Sequence, residues 1–314
     1  MSDHSLFPLV PGELVHRTAA DEVLVAGADR LAPDRFLVRL RWRRSHRTFV
    51  PAATARHSPL LVAESIRQAC IYLAIRFLGV PPETRLVIRE LHFAVDPGSA
   101  PPAVTETTEA ALLVRVVRTR RDEASGQLVA LQLEGTLLAD ARVFATAGGS
   151  ARLFSPADYT ALRAAATTPA APTGPAQPGP EQPPLTPPRP GLVGVARPGD
   201  VVLAAAPDGR WAVRPADPCH PFFYDHPVDH VPGMVLAEAA RQYALLRLGD
   251  PGLRLTGLRM RPLAFAETGP LLTCAAPGAV SAAPFPFELR QSGRCVVEGE
   301  LALARPVAGW CVSR

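Results

Sequence analysis

Two stretches of this chain repeat one another and decide its fold. Residues 230–242 read His-Val-Pro-Gly-Met-Val-Leu-Ala-Glu-Ala-Ala-Arg-Gln, and residues 57–68 read His-Ser-Pro-Leu-Leu-Val-Ala-Glu-Ser-Ile-Arg-Gln. With one residue inserted, the His, Pro, Ala-Glu and Arg-Gln positions of the two stretches coincide. A match at fixed spacing in both halves of a chain indicates a duplicated module. We therefore expect two related domains, which agrees with the length of 314 residues.

Each stretch predicts a long helix, over Leu60–Leu78 and over Met234–Leu248, where Gly249 ends the second one. Their strongly polar side chains are Glu64, Arg67 and Gln68 in the first helix, and Glu238, Arg241 and Gln242 in the second. A helix that is apolar on nearly every face must be buried. Spacings of three and four residues place its polar side chains on one side.

Burying a carboxylate and a guanidinium is costly unless they are paired. One interpretation is an ion pair that only orients the helix. The other is a functional site. The duplication favours the site, because apolar residues would orient the helices about as well.

Strand-like runs surround each predicted helix. In the first half they are Glu22–Ala26, Phe36–Trp42, Leu86–Val95, Ala111–Arg118 and Gln127–Phe144, the last as one strand or two. In the second half they are Val201–Ala206, Trp211–Arg214, Leu253–Met260, Leu271–Ala275, Pro286–Gln291 and Cys295–Leu303. One helix wrapped by an antiparallel sheet is an α+β arrangement.

A proline-rich stretch separates the halves. Ten of the 23 residues from 168 to 190 are proline, which predicts an extended linker. A short helix over Ala157–Ala166, with Ser155 as its cap and Pro156 in its first turn, is expected to close the first unit. The predicted division is a first module over 10–165, a linker over 166–197 and a second module over 198–314.

Composition excludes several classes of protein. All 33 basic residues are arginine, so the chain can form neither a lysine Schiff base nor a GxxxxGK[ST] phosphate loop. The net charge is only +4 and the arginines are scattered, which argues against nucleic acid as a partner. No run of 18 apolar residues and no signal-like N-terminus is visible, so we expect a soluble, cytoplasmic protein. Five cysteines without a CxxC pair predict reduced thiols and no zinc site. We also expect no cofactor and no other bound metal.

The segment before the second helix carries further polar residues. Asp225-His226 and Asp229-His230 could be metal ligands, but no other cluster of ligand residues lies near them. A Pro-Gly pair directly before a buried helix is better explained as a binding element. It leaves N–H groups and the positive end of the helix dipole free for a carbonyl or phosphate. Gly233 and Met234 are therefore predicted to bind substrate.

The segment from His226 to Gln242 resembles the hotdog-fold signature of β-hydroxyacyl-carrier-protein dehydratases. A closer resemblance is to the A-factor biosynthesis hotdog family, whose members are double-hotdog proteins. Its motifs are Leu14-Val-His-Arg, Arg44-Ser-His, His57 to Gln68 and Asp225 to Gln242. The resemblance implies a tandem double hotdog, with a histidine of one module facing the helix acid of the other. His226 would then face Glu64.

The resemblance also implies an acyltransferase. Family members move a β-ketoacyl group from a carrier-protein thioester, or a CoA thioester, to the hydroxyl of dihydroxyacetone phosphate, toward γ-butyrolactone signals. In this scheme Glu64 and Glu238, with pKa values raised by an apolar tunnel, and His226 are the catalytic candidates. Arg67, Arg241, Gln68 and Gln242 are expected to bind substrate, the arginines by holding the phosphate.

Other possibilities stay open from the sequence. A hotdog dehydratase or thioesterase would need the acid and the histidine but little from the helix arginines. A non-catalytic acyl-ligand sensor would keep the tunnel alone. The two sites are expected to be unequal, and a homodimer is a further possibility.

Overall fold

A computed structural model of the chain describes residues 8–46, 56–167, 184–226 and 228–306. These residues form twelve strands in a single antiparallel sheet. The strands of the first half are β1 Val25–Ala32, β2 Arg35–Arg43, β3 Arg85–Val95, β4 Thr107–Arg121, β5 Leu128–Ala139 and β6 Arg142–Phe154. Those of the second half are β7 Leu203–Ala205, β8 Trp211–Val213, β9 Arg254–Pro262, β10 Leu272–Ala275, β11 Phe285–Gln291 and β12 Arg294–Ala304.

The strand order shows that the halves are copies of one topology. It runs β1-β2-β4-β5-β6-β3 and continues β9-β12-β11-β10-β8-β7. When the strands of each half are numbered from one to six and read from the outer edge of the sheet to its centre, both halves follow the order 1-2-4-5-6-3. They join where β3 pairs antiparallel with β9, in a register that includes Leu91 opposite Met260. The predicted tandem double hotdog is confirmed.

Each half contributes one long buried helix. Helix α1 spans Leu60–Phe77 and helix α3 spans Gly233–Leu248, within a residue of the predicted bounds. The two helices contact each other, as in a pair of packed modules. Gly249 ends α3 in the left-handed conformation (φ 65°) that favours glycine. None of the described helices is both long enough and apolar enough to cross a membrane.

A third helix, α2, spans Pro156–Thr167 after the last strand of the first half. The Ser155 hydroxyl accepts a hydrogen bond from the Asp158 N–H at 3.1 Å, which is the predicted cap. Most of the proline-rich stretch, 168–183, lies outside the described residues. Within the rest of the predicted linker, Pro190–Val193 forms a 3-10 turn that packs against α3.

Two predicted strands begin too early in the sequence, and the helix glutamines explain why. The run predicted over Glu22–Ala26 begins as a 3-10 turn, and β1 starts only at Val25. The Leu24 N–H donates to the Gln68 side chain at 2.8 Å, so it cannot pair with a neighbouring strand. In the second half the Val202 N–H donates to Gln242 in the same way, and β7 starts one residue later.

The run predicted over Gln127–Phe144 is two strands. Asp140 and Ala141 both have positive φ (49° and 59°) and form the tight turn between β5 and β6. Strand β6 then continues ten residues beyond the predicted end, to Phe154. It pairs with both β5 and β3, which places it inside the sheet.

Candidate active site

The three polar side chains of α1 form one bonded group. Arg67 donates from Nε to Glu64 Oε2 at 2.8 Å and from Nη2 to Glu64 Oε1 at 2.7 Å. The Gln68 amide donates to Glu64 Oε1 at 2.6 Å. The Glu64 side chain is fully buried. The sequence-based prediction that these residues share one side of a buried helix is confirmed, and their pairing is one of the two interpretations that the sequence left open.

Helix α3 repeats this group. Arg241 donates from Nε to Glu238 Oε2 at 2.8 Å and from Nη2 to Oε1 at 2.5 Å, and Gln242 donates to Oε1 at 2.7 Å. Each arginine also reaches the last residue of a preceding 3-10 turn: Arg67 donates to the Val15 carbonyl at 3.5 Å, and Arg241 to the Val193 carbonyl at 3.1 Å. The two centres are therefore pseudo-symmetric in their helix residues.

Arg17 breaks the pseudo-symmetry of the two centres. Its Nη2 lies 2.9 Å from Glu64 Oε1, so Glu64 has two guanidinium partners. Both turns end in a residue of left-handed conformation, His16 (φ 52°) in the first module and Gly194 (φ 65°) in the second. Val195 thus occupies the position that corresponds to Arg17, and a hydrocarbon side chain cannot pair with Glu238. The predicted inequality of the two centres has this structural basis.

The charge state of Glu64 differs from the sequence-based expectation. Burial alone raises the pKa of a carboxyl group, but the charges of Arg17 and Arg67 outweigh it and lower the pKa of Glu64 to about 2. The expectation of a raised pKa is therefore wrong for Glu64. Its carboxylate is ionised at neutral pH and anchors two arginines.

Arg17 links the Glu64 centre to the second module. Its Nη1 donates to the Phe222 carbonyl at 2.7 Å and lies 3.4 Å from Asp225 Oδ1. Its guanidinium also stacks over the Phe222 ring, 4.5 Å from the centroid. The Thr18 N–H donates to Asp225 Oδ2 at 2.9 Å. The loop that carries Asp225 is thereby fastened to the first module.

Asp225 orients the neighbouring His226, whose Nδ1 lies 2.5 Å from Asp225 Oδ1. Burial acts to raise the pKa of Asp225, but bonds to His226 and Thr18 and the charge of Arg17 lower it. An ionised carboxylate only accepts hydrogen bonds, so His226 Nδ1 carries the proton and Nε2 of the neutral ring keeps its lone pair. The His226 side chain is 41% exposed, which leaves Nε2 accessible.

His226 opens into a cleft of about 1080 Å³ on the Glu64 side of the molecule. His226 does not contact Glu64 directly. Asp225 bonds to His226, and Arg17 contacts both Asp225 and Glu64. The first module supplies the other described lining residues. The charged ones are Arg17, Arg41, Arg43, Arg85, Glu13 and Glu83.

The other Asp-His pair of the loop has different partners. The Tyr159 hydroxyl donates to Asp229 at 2.9 Å, and His230 Nδ1 lies 2.7 Å from Asp229 Oδ1. Arg163 bonds to both Asp229 and Glu267, at 3.0 and 2.7 Å. These contacts tie α2 to the loop, so the second pair holds the loop in place beside the first.

The remaining predicted residues lie at the start of α3 or face the core. Pro232 precedes α3 and provides no side-chain cap, while Met234 is buried and Gly233 lies against Ile88. Gln68 also donates to the Glu22 carbonyl at 2.7 Å, and Gln242 donates to the Asp200 carbonyl at 2.8 Å. Each helix glutamine therefore has a structural role beside its glutamate. Sequence reasoning missed Arg17 and Asp225 as site residues, although both stand in the quoted motifs.

The chain matches the model of the A-factor biosynthesis hotdog domain over residues 2–155 and 176–258. It is 37% identical over 237 residues to a 2-oxo-3-(phosphooxy)propyl 3-oxoalkanoate synthase of Streptomyces virginiae, covering 75% of this chain and 76% of that protein. A protein of the same name from Streptomyces coelicolor is 33% identical, over 76% of this chain and 73% of its own length.

Among solved structures, an acyl-ACP thioesterase from Bacteroides thetaiotaomicron superposes with a TM-score of 0.51 and 14% identity, covering 85% of this chain and 98% of that one. This likeness concerns the fold alone. The extent of the family match and the identity to two curated relatives agree with the duplicated hotdog topology. The chain belongs to the A-factor biosynthesis hotdog domain family.

Proposed function

We propose that the protein is an acyltransferase that moves a β-ketoacyl group from a thioester to the hydroxyl of dihydroxyacetone phosphate. The product would be a 2-oxo-3-(phosphooxy)propyl 3-oxoalkanoate, the compound in the name of both relatives. The donor is an acyl carrier protein or CoA thioester. Both substrates are intracellular metabolites, so the proposed site of action is the cytoplasm.

The observation that carries the mechanism is the Asp225–His226 pair at the cleft. His226 Nε2 takes the proton from the acceptor hydroxyl, whose oxygen attacks the thioester carbonyl carbon. A C–O bond forms and the C–S bond breaks. The proton passes from His226 to the departing thiolate, which leaves as a thiol. Asp225 holds the imidazole in the required tautomer and stabilises its charged form.

Glu64 acts through Arg17 in this mechanism and touches no substrate. Its carboxylate keeps Arg17 in place, and Arg17 in turn positions Asp225. Pro232 provides no side-chain cap for the first N–H groups of α3, at Gly233 and Met234. Neither residue lines the cleft beside His226, so no contact with the oxyanion is assigned to them. Residues from both halves of one chain form the proposed site, so catalysis in this mechanism does not require a homodimer.

The ionised Glu64 also separates this proposal from a dehydratase. A dehydratase needs a protonated acid to release water, whereas Glu64 has a pKa near 2. A thioesterase would use the same Asp-His pair to activate water. The choice of acceptor therefore distinguishes the two reactions.

His226→Gln tests the proposal, because it keeps a similar volume but removes the proton acceptor. We expect the rate of ester formation, followed by mass spectrometry with a β-ketoacyl thioester and dihydroxyacetone phosphate, to fall at least about a hundredfold. His230→Gln changes the other Asp-His pair of the same loop and is the matched control, which should keep most of the activity. Equal rates in His226→Gln and the wild type would contradict the mechanism, and free acid as the main wild-type product would favour the thioesterase.

A further inference from the structure

We propose that Arg85 binds the phosphate group of the acceptor in the cleft beside His226, in place of the helix arginines Arg67 and Arg241. This inference rests on the proposed acyl transfer, and it names the residue that selects a phosphorylated acceptor. The ligand group is a phosphate monoester. Arg85 is a substrate-binding residue and takes no part in proton transfer.

The helix arginines Arg67 and Arg241 already bind other groups of the protein. Arg67 and Arg241 each hold a glutamate through two nitrogens and a backbone carbonyl through Nη2. Their side chains are only 18% and 11% exposed. If either turned to a phosphate, it would leave a buried carboxylate less neutralised, which is strongly unfavourable.

The Arg85 guanidinium is not held in this way by a carboxylate of the described residues. It is exposed at the start of β3, lines the cleft, and makes no side-chain hydrogen bond or ion pair with any residue in the described ranges. Three other arginines of the described residues line the cleft. Arg17 is held by Glu64, and Arg43 pairs with Asp21. Arg41 is almost wholly buried. A guanidinium can bind two phosphate oxygens at once, and this contact needs no lysine or glycine-rich loop.

His16 ties the Arg85 segment to the cleft wall. Its Nε2 lies 3.0 Å from the Pro82 carbonyl, three residues before Arg85. A carbonyl only accepts, so Nε2 carries the proton. Burial lowers the pKa of His16 to about 4, and the charges of Arg67 and Arg85 act in the same direction. His16 is therefore neutral at pH 7, and the acidic side chains facing the cleft are Glu13 and Glu83.

The cleft provides one residue for each end of the acceptor. Dihydroxyacetone phosphate carries its reacting hydroxyl on one terminal carbon and its phosphate on the other. His226 and Arg85 both line the cleft, so the hydroxyl end is assigned to His226 and the phosphate end to Arg85.

The second module provides an internal control. Arg254 starts β9 as Arg85 starts β3, and Pro251 stands three residues before it as Pro82 does before Arg85. At the position of His16, however, this module has Gly194, which has no side chain to bond the Pro251 segment. Arg254 does not line the cleft that contains His226, so its substitution serves as the control.

The experiment compares Arg85→Gln, Arg85→Lys and the matched control Arg254→Gln in the full chain. We expect Arg85→Gln to raise the KM for dihydroxyacetone phosphate about ten- to a hundredfold, the loss of one charged contact. Arg85→Lys should recover part of that loss. Arg254→Gln should leave the KM unchanged. Unphosphorylated dihydroxyacetone, which lacks the bound group, should react equally well with the wild type and Arg85→Gln.

Two readouts separate the failure of this inference from failure of the proposed function. Titration calorimetry with inorganic phosphate needs no turnover, and binding lost in Arg85→Gln supports the subsite even if no acyl transfer occurs. If acyl transfer occurs but Arg85→Gln keeps its KM for dihydroxyacetone phosphate, the subsite is wrong while the function stands. A rise confined to the KM of the thioester donor would assign the contact to the donor's phosphate and overturn the inference.

Discussion

At the scale of single residues, the ionisation of Glu64 depends on a partner 47 positions away in the sequence. Arg67 is one helical turn from Glu64, but Arg17 comes from the segment before β1. Together they reverse the effect of burial on the pKa of Glu64. Because the folded pKa of about 2 lies below the ordinary value of 4.5, this group stabilises the fold at pH values above about 4.5. That contribution is lost as the pH falls toward 2.

Glu64→Gln tests this linkage. We expect the variant to lower the free energy of unfolding at pH 7 by about 3 kcal/mol, because Arg17 and Arg67 stay buried without their carboxylate. The deficit should shrink between pH 4.5 and pH 2, where the wild type loses the same contribution. Urea unfolding at several pH values measures both quantities. The exposed acid variant Glu123→Gln should stay within about 0.5 kcal/mol throughout, and a deficit in Glu64→Gln that does not change with pH would contradict the argument.

At the scale of secondary-structure elements, the repeat extends to close contacts between strands. Gly149 in β6 and Gly299 in β12 occupy corresponding places beside β3 and β9. A Cβ at Gly149 would lie 2.3 Å from the Glu90 carbonyl oxygen, and one at Gly299 would lie 2.2 Å from the Arg259 carbonyl oxygen. Backbone atoms cannot move away as a flexible side chain can. Both positions therefore require glycine for space.

Gly149→Ala and Gly299→Ala should each destabilise the protein by about 1–3 kcal/mol, the usual cost of an added methyl group in a packed region. Gly191→Ala is the control, because a Cβ there would meet no atom within 4 Å and its φ is not positive. Thermal unfolding of the three variants measures the effect. Equal melting temperatures for Gly149→Ala and Gly191→Ala would show that the strands separate without cost.

At the scale of the whole molecule, residues from both halves of the chain line the cleft that contains His226. The seam between the modules contains the β3–β9 pairing, the contact of α1 with α3, and the bonds from Arg17 to Phe222 and Asp225. Strand β3 would be an open sheet edge if the first module stood alone, and open edges associate. His226 would also be missing from the cleft.

A fragment of residues 1–167 should therefore self-associate and show no acyl transfer, whereas co-expression with a fragment of residues 184–314 should restore activity without the proline-rich stretch. Light scattering gives the oligomeric state, and mass spectrometry gives the product. A monomeric, active first fragment would contradict the shared site. An inactive mixture whose fragments nonetheless co-purify would show that the covalent linker is required.

The sequence by itself determined the two buried helices, the duplication, the α+β class and which polar side chains share one side of each helix. These depend on local spacing, since residues three and four apart on a helix must be neighbours. Only the tertiary structure decided that Arg17 joins Glu64, that the Glu64 pKa falls and that Val195 takes the corresponding position at the Glu238 centre. It also decided where the strands start, because the helix glutamines take backbone N–H groups from distant segments. Such contacts join residues far apart in the chain, and no periodicity along the sequence records which segments the folded sheet brings together.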